Sequence, residues 1–132
     1  MKFIVLVLLL LPVLVTCRIP KCFDEEFKNH LEHRDFNAVA KYISDDFVAH
    51  YSMLVPIKVG KSDFLKKLRE SSGDHLFDGR RCLDNLPGGN QTITYNSFFK
   101  YQVYTLKPNA ALKAGYELVK YENFRSGAIL FC

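Results

Sequence analysis

The chain has 132 residues and a formal charge of +4, and 48% of its residues are apolar. This length predicts one domain rather than two. The apolar content is ordinary for a packed globular protein and too high for a disordered chain, and so small a positive charge does not by itself indicate nucleic-acid binding. Composition therefore says little about what the protein binds or converts.

Residues 1–17 have the pattern of a secretory signal peptide. Lys2 gives a positive start, and an apolar run extends from Phe3 to Val15. As a helix this run is about 20 Å long, shorter than the roughly 30 Å hydrocarbon core of a bilayer. Val15 and Cys17 are small enough for the positions that precede a cleavage site, so we predict cleavage before Arg18 and export of a soluble protein.

The cysteines are interpreted in the light of this predicted export. The remaining single domain, residues 18–132, would reach an oxidising compartment, where cysteines within reach tend to pair. It keeps Cys22, Cys82 and Cys132, and an odd number predicts one disulfide bond with its pairing left open. Closing such a loop would stabilise the fold by roughly 4 kcal/mol. Cleavage one residue earlier would also keep Cys17 and allow two bonds.

The triplet Asn90-Gln91-Thr92 matches the acceptor sequence for N-glycosylation. It follows Pro87-Gly88-Gly89, a strong turn signal, so Asn90 is expected at an exposed loop tip. We interpret Asn90 as a glycosylation site of a secreted protein; a chance match that is not used is the alternative.

Three amphipathic helices are predicted in the first half of the chain. The acidic residues from Asp24 to Glu26 suit the positive end of the first helix. Asp35 and Ser62 are the expected N-caps of the second and third helices. Apolar residues follow at helical spacing: Phe23, Phe27 and Leu31 in the first helix, Phe36, Val39, Ala40 and Ile43 in the second, and Phe64, Leu65 and Leu68 in the third.

Strands are predicted around and after the third helix. Alternation from Phe47 to Met53 predicts a first strand. Residues 76–86 are a weak strand candidate, and residues 91–106 alternate as one long strand that must curl or contain a bulge. Two more strands are expected, at residues 116–124 and 128–132. The order predicts an α+β fold in which three N-terminal helices pack on a strongly curved antiparallel sheet.

Two segments of the sequence carry a family resemblance. The first runs from Phe27 to Phe47 and contains Arg34-Asp35-Phe36 and Ser44-Asp45-Asp46-Phe47; the second is Gly60-Lys61-Ser62-Asp63-Phe64-Leu65. Together they resemble the opening and the third-helix turn of the nuclear transport factor 2-like superfamily, especially its secreted nematode members. The resemblance implies a cone-shaped, cystatin-like fold with a pocket at the wide end. Superfamily members include transport adaptors, association modules, and enzymes such as ketosteroid isomerase and scytalone dehydratase, so the fold does not settle the function.

Catalytic residues are only weakly indicated. Isomerases of this fold place a carboxylate base near the first strand, which makes Asp46 the nearest candidate, and His50 could carry a proton near neutral pH. Such a base needs apolar burial and a facing donor, for which Tyr42 or Tyr101 are candidates. Turn chemistry alone explains Asp46, and a lone histidine on a half-polar strand is usually structural or exposed. We therefore assign no catalytic residue.

The remaining motifs favour a binding protein. We expect Tyr42, His50 and Tyr101 to contact a ligand. No Cys-x-x-Cys pair, phosphate loop or zinc signature occurs in the sequence, so we predict no metal, no cofactor and no nucleic-acid partner. The favoured hypothesis is a secreted domain that binds a small apolar ligand or a protein partner. A cofactor-free isomerase or dehydratase acting on a small apolar substrate is the alternative, and a homodimer through the outer sheet face is a third possibility.

Overall fold

A computed structural model of the chain describes residues 20–52, 55–71, 76–97 and 100–124, with side chains from residue 23 onward. The helices are α1 (Pro20–Glu32), α2 (Phe36–Lys41) and α3 (Lys61–Glu70). The strands are β1 (Ile43–Ser52), β2 (Ile57–Gly60), β3 (Arg80–Asn85), β4 (Gln91–Ser97), β5 (Lys100–Pro108) and β6 (Tyr116–Phe124). A single 3-10 turn, Pro87–Gly89, joins β3 to β4.

The described strands form one curved sheet in the order β2-β1-β6-β5-β4-β3. Strands β1 and β6 are parallel, and every other neighbouring pair is antiparallel. The register between β1 and β6 shifts between Ile43 and Val48, so β1 bulges at Asp45 and Asp46 rather than starting after them. The predicted α+β class is confirmed, but the prediction of a wholly antiparallel sheet is wrong, because β1 pairs with β6 in parallel.

The helices cover one face of the sheet, which we call the inner face, and the core lies between the two layers. The predicted apolar stripes are largely confirmed, since alternate strand residues and one face of each helix are buried together. Fully buried side chains of large volume are Phe23, Phe27, Phe47, Phe64, Ile43, Ile93, Tyr104, Tyr121, Leu106, Leu118, Gln102 and Val39.

The prediction of one long strand over residues 91–106 is wrong. Strand β4 ends at Ser97, β5 begins at Lys100, and these two residues pair with each other as an antiparallel hairpin. The face that points inward therefore changes parity, from Tyr95 in β4 to Gln102 and Tyr104 in β5. A hairpin lets both halves pair along their length, which a single strand of this length could not do.

The predicted helix starts are right in one of three cases. Asp35 caps α2, because its carboxylate accepts a hydrogen bond from the Ala38 N–H at 3.2 Å. Helix α3 instead begins after Gly60 and has no side-chain cap, so the prediction of Ser62 as N-cap is wrong. Helix α1 begins at Pro20, which places Asp24 beyond the first turn and frees it for a tertiary contact.

The weak strand candidate at residues 76–86 contains β3, and a glycine determines how closely β3 approaches β4. Gly79 has a φ of +111°, and a Cβ there would lie 2.0 Å from the carbonyl oxygen of Asn96. Only glycine fits this position without moving the backbone. The close approach fixes Arg81, two residues later, opposite Tyr95.

Several predictions concern residues outside the described ranges: the signal peptide at residues 1–17, the strand at 128–132, and the side chains of Cys22 and Cys132. Cys82 lies half-buried on β3, and its disulfide pairing stays a prediction. Among the described helices, none combines the length and the apolar character that a membrane span requires.

Candidate functional site

A cleft of about 240 Å³ lies between α1 and the β3–β4 end of the sheet. Helix α1 contributes a short polar run to it, and the sheet contributes an aromatic floor. The lining residues are Asp24, Glu25, Lys28, Phe77, Arg81 and Tyr95. The cleft thus brings charged and aromatic groups together next to solvent.

Asp24 is the buried charge of this cleft, with 6% of its surface exposed. Its Oδ2 accepts a hydrogen bond from Nε of Arg81 at 2.7 Å and another from the hydroxyl of Tyr95. Its Oδ1 accepts from the Glu25 N–H at 3.1 Å, and Nη2 of Arg81 lies 3.5 Å away. Both carboxylate oxygens therefore have partners, as a buried charge requires.

Tyr95 is held as a hydrogen-bond donor. Burial raises the pKa of its hydroxyl strongly, and the hydrogen bond to the Asp24 carboxylate raises this pKa further. A carboxylate acceptor favours the protonated phenol, because the phenolate would repel it. The hydroxyl therefore keeps its proton at any physiological pH and fixes the Asp24 side chain across the cleft floor.

A second polar group, which we call the interior network, lies deeper between the sheet and the helices. The Tyr104 hydroxyl accepts from the Phe77 N–H at 2.9 Å and donates to Oε1 of Gln102 at 3.1 Å. Nε2 of Gln102 donates to the Tyr121 hydroxyl at 2.8 Å, and Nδ2 of Asn123 donates to the same oxygen at 3.1 Å. Burial raises the pKa of both tyrosines well above the ordinary value, so the network is neutral.

Aromatic rings fill the space around this network. Phe77 stacks on Tyr104 with ring centroids 4.5 Å apart, and Tyr104 contacts Tyr121 at 5.1 Å. Phe64 and Tyr51 pack against the other side of Tyr121 at 5.5 Å and 5.8 Å. The described interior is thus occupied by the protein's own side chains.

Phe77 connects the cleft with the interior network. Its ring lines the cleft and also stacks inside, and its backbone has a φ of +55°, which is rare for a bulky residue. The hydrogen bond from its N–H to Tyr104 and the surrounding rings hold this conformation. Phe77 therefore lies between the cleft and the interior network and contacts both, at the expense of local backbone strain.

A shallower cleft of about 500 Å³ lies at the start of α3. Most of its lining residues are polar or charged, and the ion pair at its side joins Nζ of Lys61 to Asp45 at 3.1 Å. Asp45 is almost fully exposed there. This surface has no aromatic floor and holds no buried charge within the described residues, so we do not treat it as the candidate site.

The structure does not bring the three predicted ligand contacts together. Tyr42 is buried in the core, where its ring packs edge-on against Phe23 at 5.9 Å. His50 and Tyr101 alternate with the buried residues of β1 and β5 and therefore lie on the opposite, outer face of the sheet. Their part in ligand binding stays a prediction, but the three cannot line one pocket.

The two weak catalytic candidates lie outside the interior as well. Asp46 is exposed at the bulge of β1, and His50 is on the outer face. Neither is buried in the core, where a general base of this kind would have its pKa raised. The residues that sequence reasoning missed are Asp24, Arg81 and Gln102, because their roles depend on contacts far apart in sequence.

Two comparisons with known proteins found no match. No protein-family model matches the sequence. No curated protein matches it either. Solved structures do match, at low identity but over most of the chain.

One match is a protein of unknown function in nutrient uptake from Rhodospirillum rubrum, described as nuclear transport factor 2-like. It has a TM-score of 0.55 and 13% identity, and the match covers 83% of this chain and 98% of that one. The chain has the nuclear transport factor 2-like fold.

Two further structures with comparable similarity carry more specific names. ActVI-ORFA from Streptomyces coelicolor has a TM-score of 0.54 and 16% identity, over 78% of this chain and 91% of that one. The orange carotenoid protein of Anabaena, solved with canthaxanthin, has a TM-score of 0.56 and 16% identity over 86% of this chain but 38% of its own. At such identities the similarity establishes the fold and nothing finer.

Proposed function

We propose that this protein, with its nuclear transport factor 2-like fold, is a secreted, non-enzymatic association domain that recognises a protein partner at the cleft beside Asp24. The observation that carries this proposal is the filled interior. The interior network and its surrounding rings occupy, within the described chain, the space where a ligand would otherwise lie. Recognition is therefore assigned to the surface.

The dimensions of the cleft support a partner side chain rather than a free small molecule. Small-molecule sites usually have volumes of about 300–1,000 Å³ and enclose most of the ligand. This cleft, at about 240 Å³, is below that range and open to solvent. Its floor of Phe77 and Tyr95 gives an apolar contact, and Glu25 and Lys28 place opposite charges at the rim. Such a combination of aromatic centre and charged rim is typical of protein interfaces.

Export is the second part of the proposal, and it rests on the pattern of residues 1–17. The mature protein would begin at Arg18, carry a disulfide bond that includes Cys82, and carry a glycan on Asn90 after the exposed Pro87–Gly89 turn. Mass spectrometry of protein secreted from a eukaryotic host measures all three together. A product that retains residues 1–17 would contradict the export proposal.

Site-specific photo-crosslinking tests the cleft. A photoreactive amino acid replaces Lys28 at the cleft rim, and the matched control carries it at Lys58, an exposed lysine on β2 at the far edge of the sheet. In extracellular fluid from the source, we expect an adduct of defined mass from position 28 and none from position 58. Excess unlabelled protein suppresses this adduct, whereas protein with Glu25→Lys does not. Equal labelling from both positions, or none, would contradict the proposal.

A cofactor-free isomerase or dehydratase is the second candidate, and one observation favours it: a buried carboxylate and a tyrosine hydroxyl face the same cleft. Asp24 would then replace Asp46 and His50 as the base. Its oxygens are already bonded to Arg81, Tyr95 and a backbone N–H, which leaves little capacity to accept a substrate proton. Turnover of ketone or enol substrates that is lost in Asp24→Asn would establish this function instead.

A further inference from the structure

The two edges of the sheet differ in length and charge. In the described part of the chain, β2 and β3 are the edge strands, each with a single neighbour. Strand β2 has four residues, carries Lys58 as its one charged side chain and runs directly into α3. Strand β3 has six residues and carries both positive and negative side chains. As an edge strand, β3 has backbone N–H and C=O groups on the side away from β4 that can pair with another strand.

Exposed groups lie along β3. Leu83 is 46% exposed, and Leu86, just beyond the strand, is 38% exposed. Arg80 and Asp84 are also exposed, and within the described chain neither side chain takes part in an ion pair or hydrogen bond. Within the described chain, strand β3 thus presents an apolar group and two opposite charges without ion-pair partners, four residues apart, at an edge with one neighbouring strand.

The positions of these charges are self-complementary. If two β3 strands pair antiparallel about a two-fold axis through Cys82, Arg80 of each copy lies directly opposite Asp84 of the other. In the same register, Leu83 of each copy lies directly opposite Arg81 of the other copy and contacts the aliphatic part of its side chain. The two Leu83 side chains are diagonal neighbours. Arg80, Cys82 and Asp84 lie on one face of β3, and directly opposite residues of an antiparallel pair point to the same face of the sheet. The helical layers of both copies therefore lie on the same side of the joined sheet.

We propose that β3 is the docking edge for a second copy of this chain. Two six-stranded sheets would then join into one continuous sheet through an antiparallel β3–β3 pair centred on Cys82, with two Arg80–Asp84 ion pairs across it. Main-chain hydrogen bonds supply the attraction, and the charges select the register. The contact is short, so we expect a reversible dimer that dissociates on dilution and weakens with salt.

This inference goes beyond the proposed function, and the two surfaces meet at Arg81, which lines the cleft and lies opposite Leu83 of the second copy. Charge exchange tests it by sedimentation velocity over a concentration series. We expect Arg80→Asp alone and Asp84→Arg alone to raise the dimer dissociation constant by about tenfold or more, because like charges then oppose each other. An equimolar mixture of the two variants, and the double exchange Arg80→Asp/Asp84→Arg, should restore dimerisation.

The control is Lys58→Glu on β2, which should leave the dimer unchanged, and circular dichroism verifies that each variant is folded. A wild-type protein that stays monomeric at the highest soluble concentration would overturn the proposal. So would single exchanges that dimerise as well as wild type, or a mixture that fails to recover the dimer.

Discussion

The cleft and the interior network differ in how their buried polar groups are paired. At the cleft, Asp24 is charged, buried and paired with the half-buried Arg81, and the cleft above it opens to solvent. In the interior network, Gln102 and two tyrosines are neutral, hydrogen-bonded to each other and enclosed by rings. A buried charge needs a counter-charge, whereas neutral groups need only each other. The comparison indicates that the cleft is suited to recognition and the interior to holding the layers together.

The largest expected effect tests the closed interior. Tyr104→Ala removes a fully buried ring that contacts Phe77, Tyr95 and Tyr121. We expect a loss of about 3–5 kcal/mol in the free energy of unfolding, measured by urea denaturation. If the variant folds, its cavity should also bind a benzene-sized molecule, detectable by nuclear magnetic resonance. Tyr101→Ala on the outer face is the control, with an expected loss of about 1 kcal/mol.

A double-mutant cycle tests the charged cluster. Asp24→Leu leaves the half-buried Arg81 without its counter-charge and the Tyr95 hydroxyl without its acceptor. We expect a loss of about 2–4 kcal/mol, below the range for a wholly buried pair because Arg81 is partly exposed. Adding Arg81→Met should recover much of this loss. A double variant as unstable as the sum of both single variants would mean that the pair does not act as a unit.

Stability at alkaline pH tests whether the buried tyrosines have higher pKa values in the folded chain than in the unfolded chain. Burial raises the pKa of Tyr51 to about 12 and those of Tyr95, Tyr104 and Tyr121 further. The unfolded chain loses these protons near pH 10 while the folded chain keeps them, so the contribution of these tyrosines to stability is constant below about pH 10 and is lost above it.

Tyr51→Phe isolates one such contribution, because the Tyr51 hydroxyl makes no hydrogen bond within the described chain. Between pH 10 and about 12 the variant should lose stability less steeply than wild type, by up to about 1.4 kcal/mol per pH unit. Denaturation series at several alkaline pH values measure this difference. Parallel curves for the two proteins would show that Tyr51 titrates normally.

The smallest expected effect concerns the cleft rim. Glu25→Gln and Lys28→Met change exposed side chains that form no ion pair within the described residues. Each substitution should therefore change the free energy of unfolding by less than about 0.5 kcal/mol, as measured by thermal unfolding. A larger loss would assign the rim a structural role and weaken its assignment to recognition.

Local patterns predicted the helices and most strands, because the apolar stripe of a helix depends on near neighbours. The sequence does not predict that Gln102 faces the core. The buried positions are odd-numbered in β4 and even-numbered in β5, and one alternating pattern over residues 91–106 does not reveal the β4–β5 hairpin between them. The sequence relates Asp24 only to the helix dipole, because its tertiary partners, Arg81 and Tyr95, lie more than fifty residues away. The candidate site was thus missed where long-range pairing decides which residues meet.

Native mass spectrometry of the secreted protein tests the central claim, the closed interior, most directly. Wild-type protein purified from a eukaryotic host should carry no small apolar molecule, while Tyr104→Ala, with its opened cavity, should bind an added one. A lipid-like molecule bound in a one-to-one ratio to wild type would contradict this claim. It would indicate that the protein binds a ligand in a pocket inside the cone.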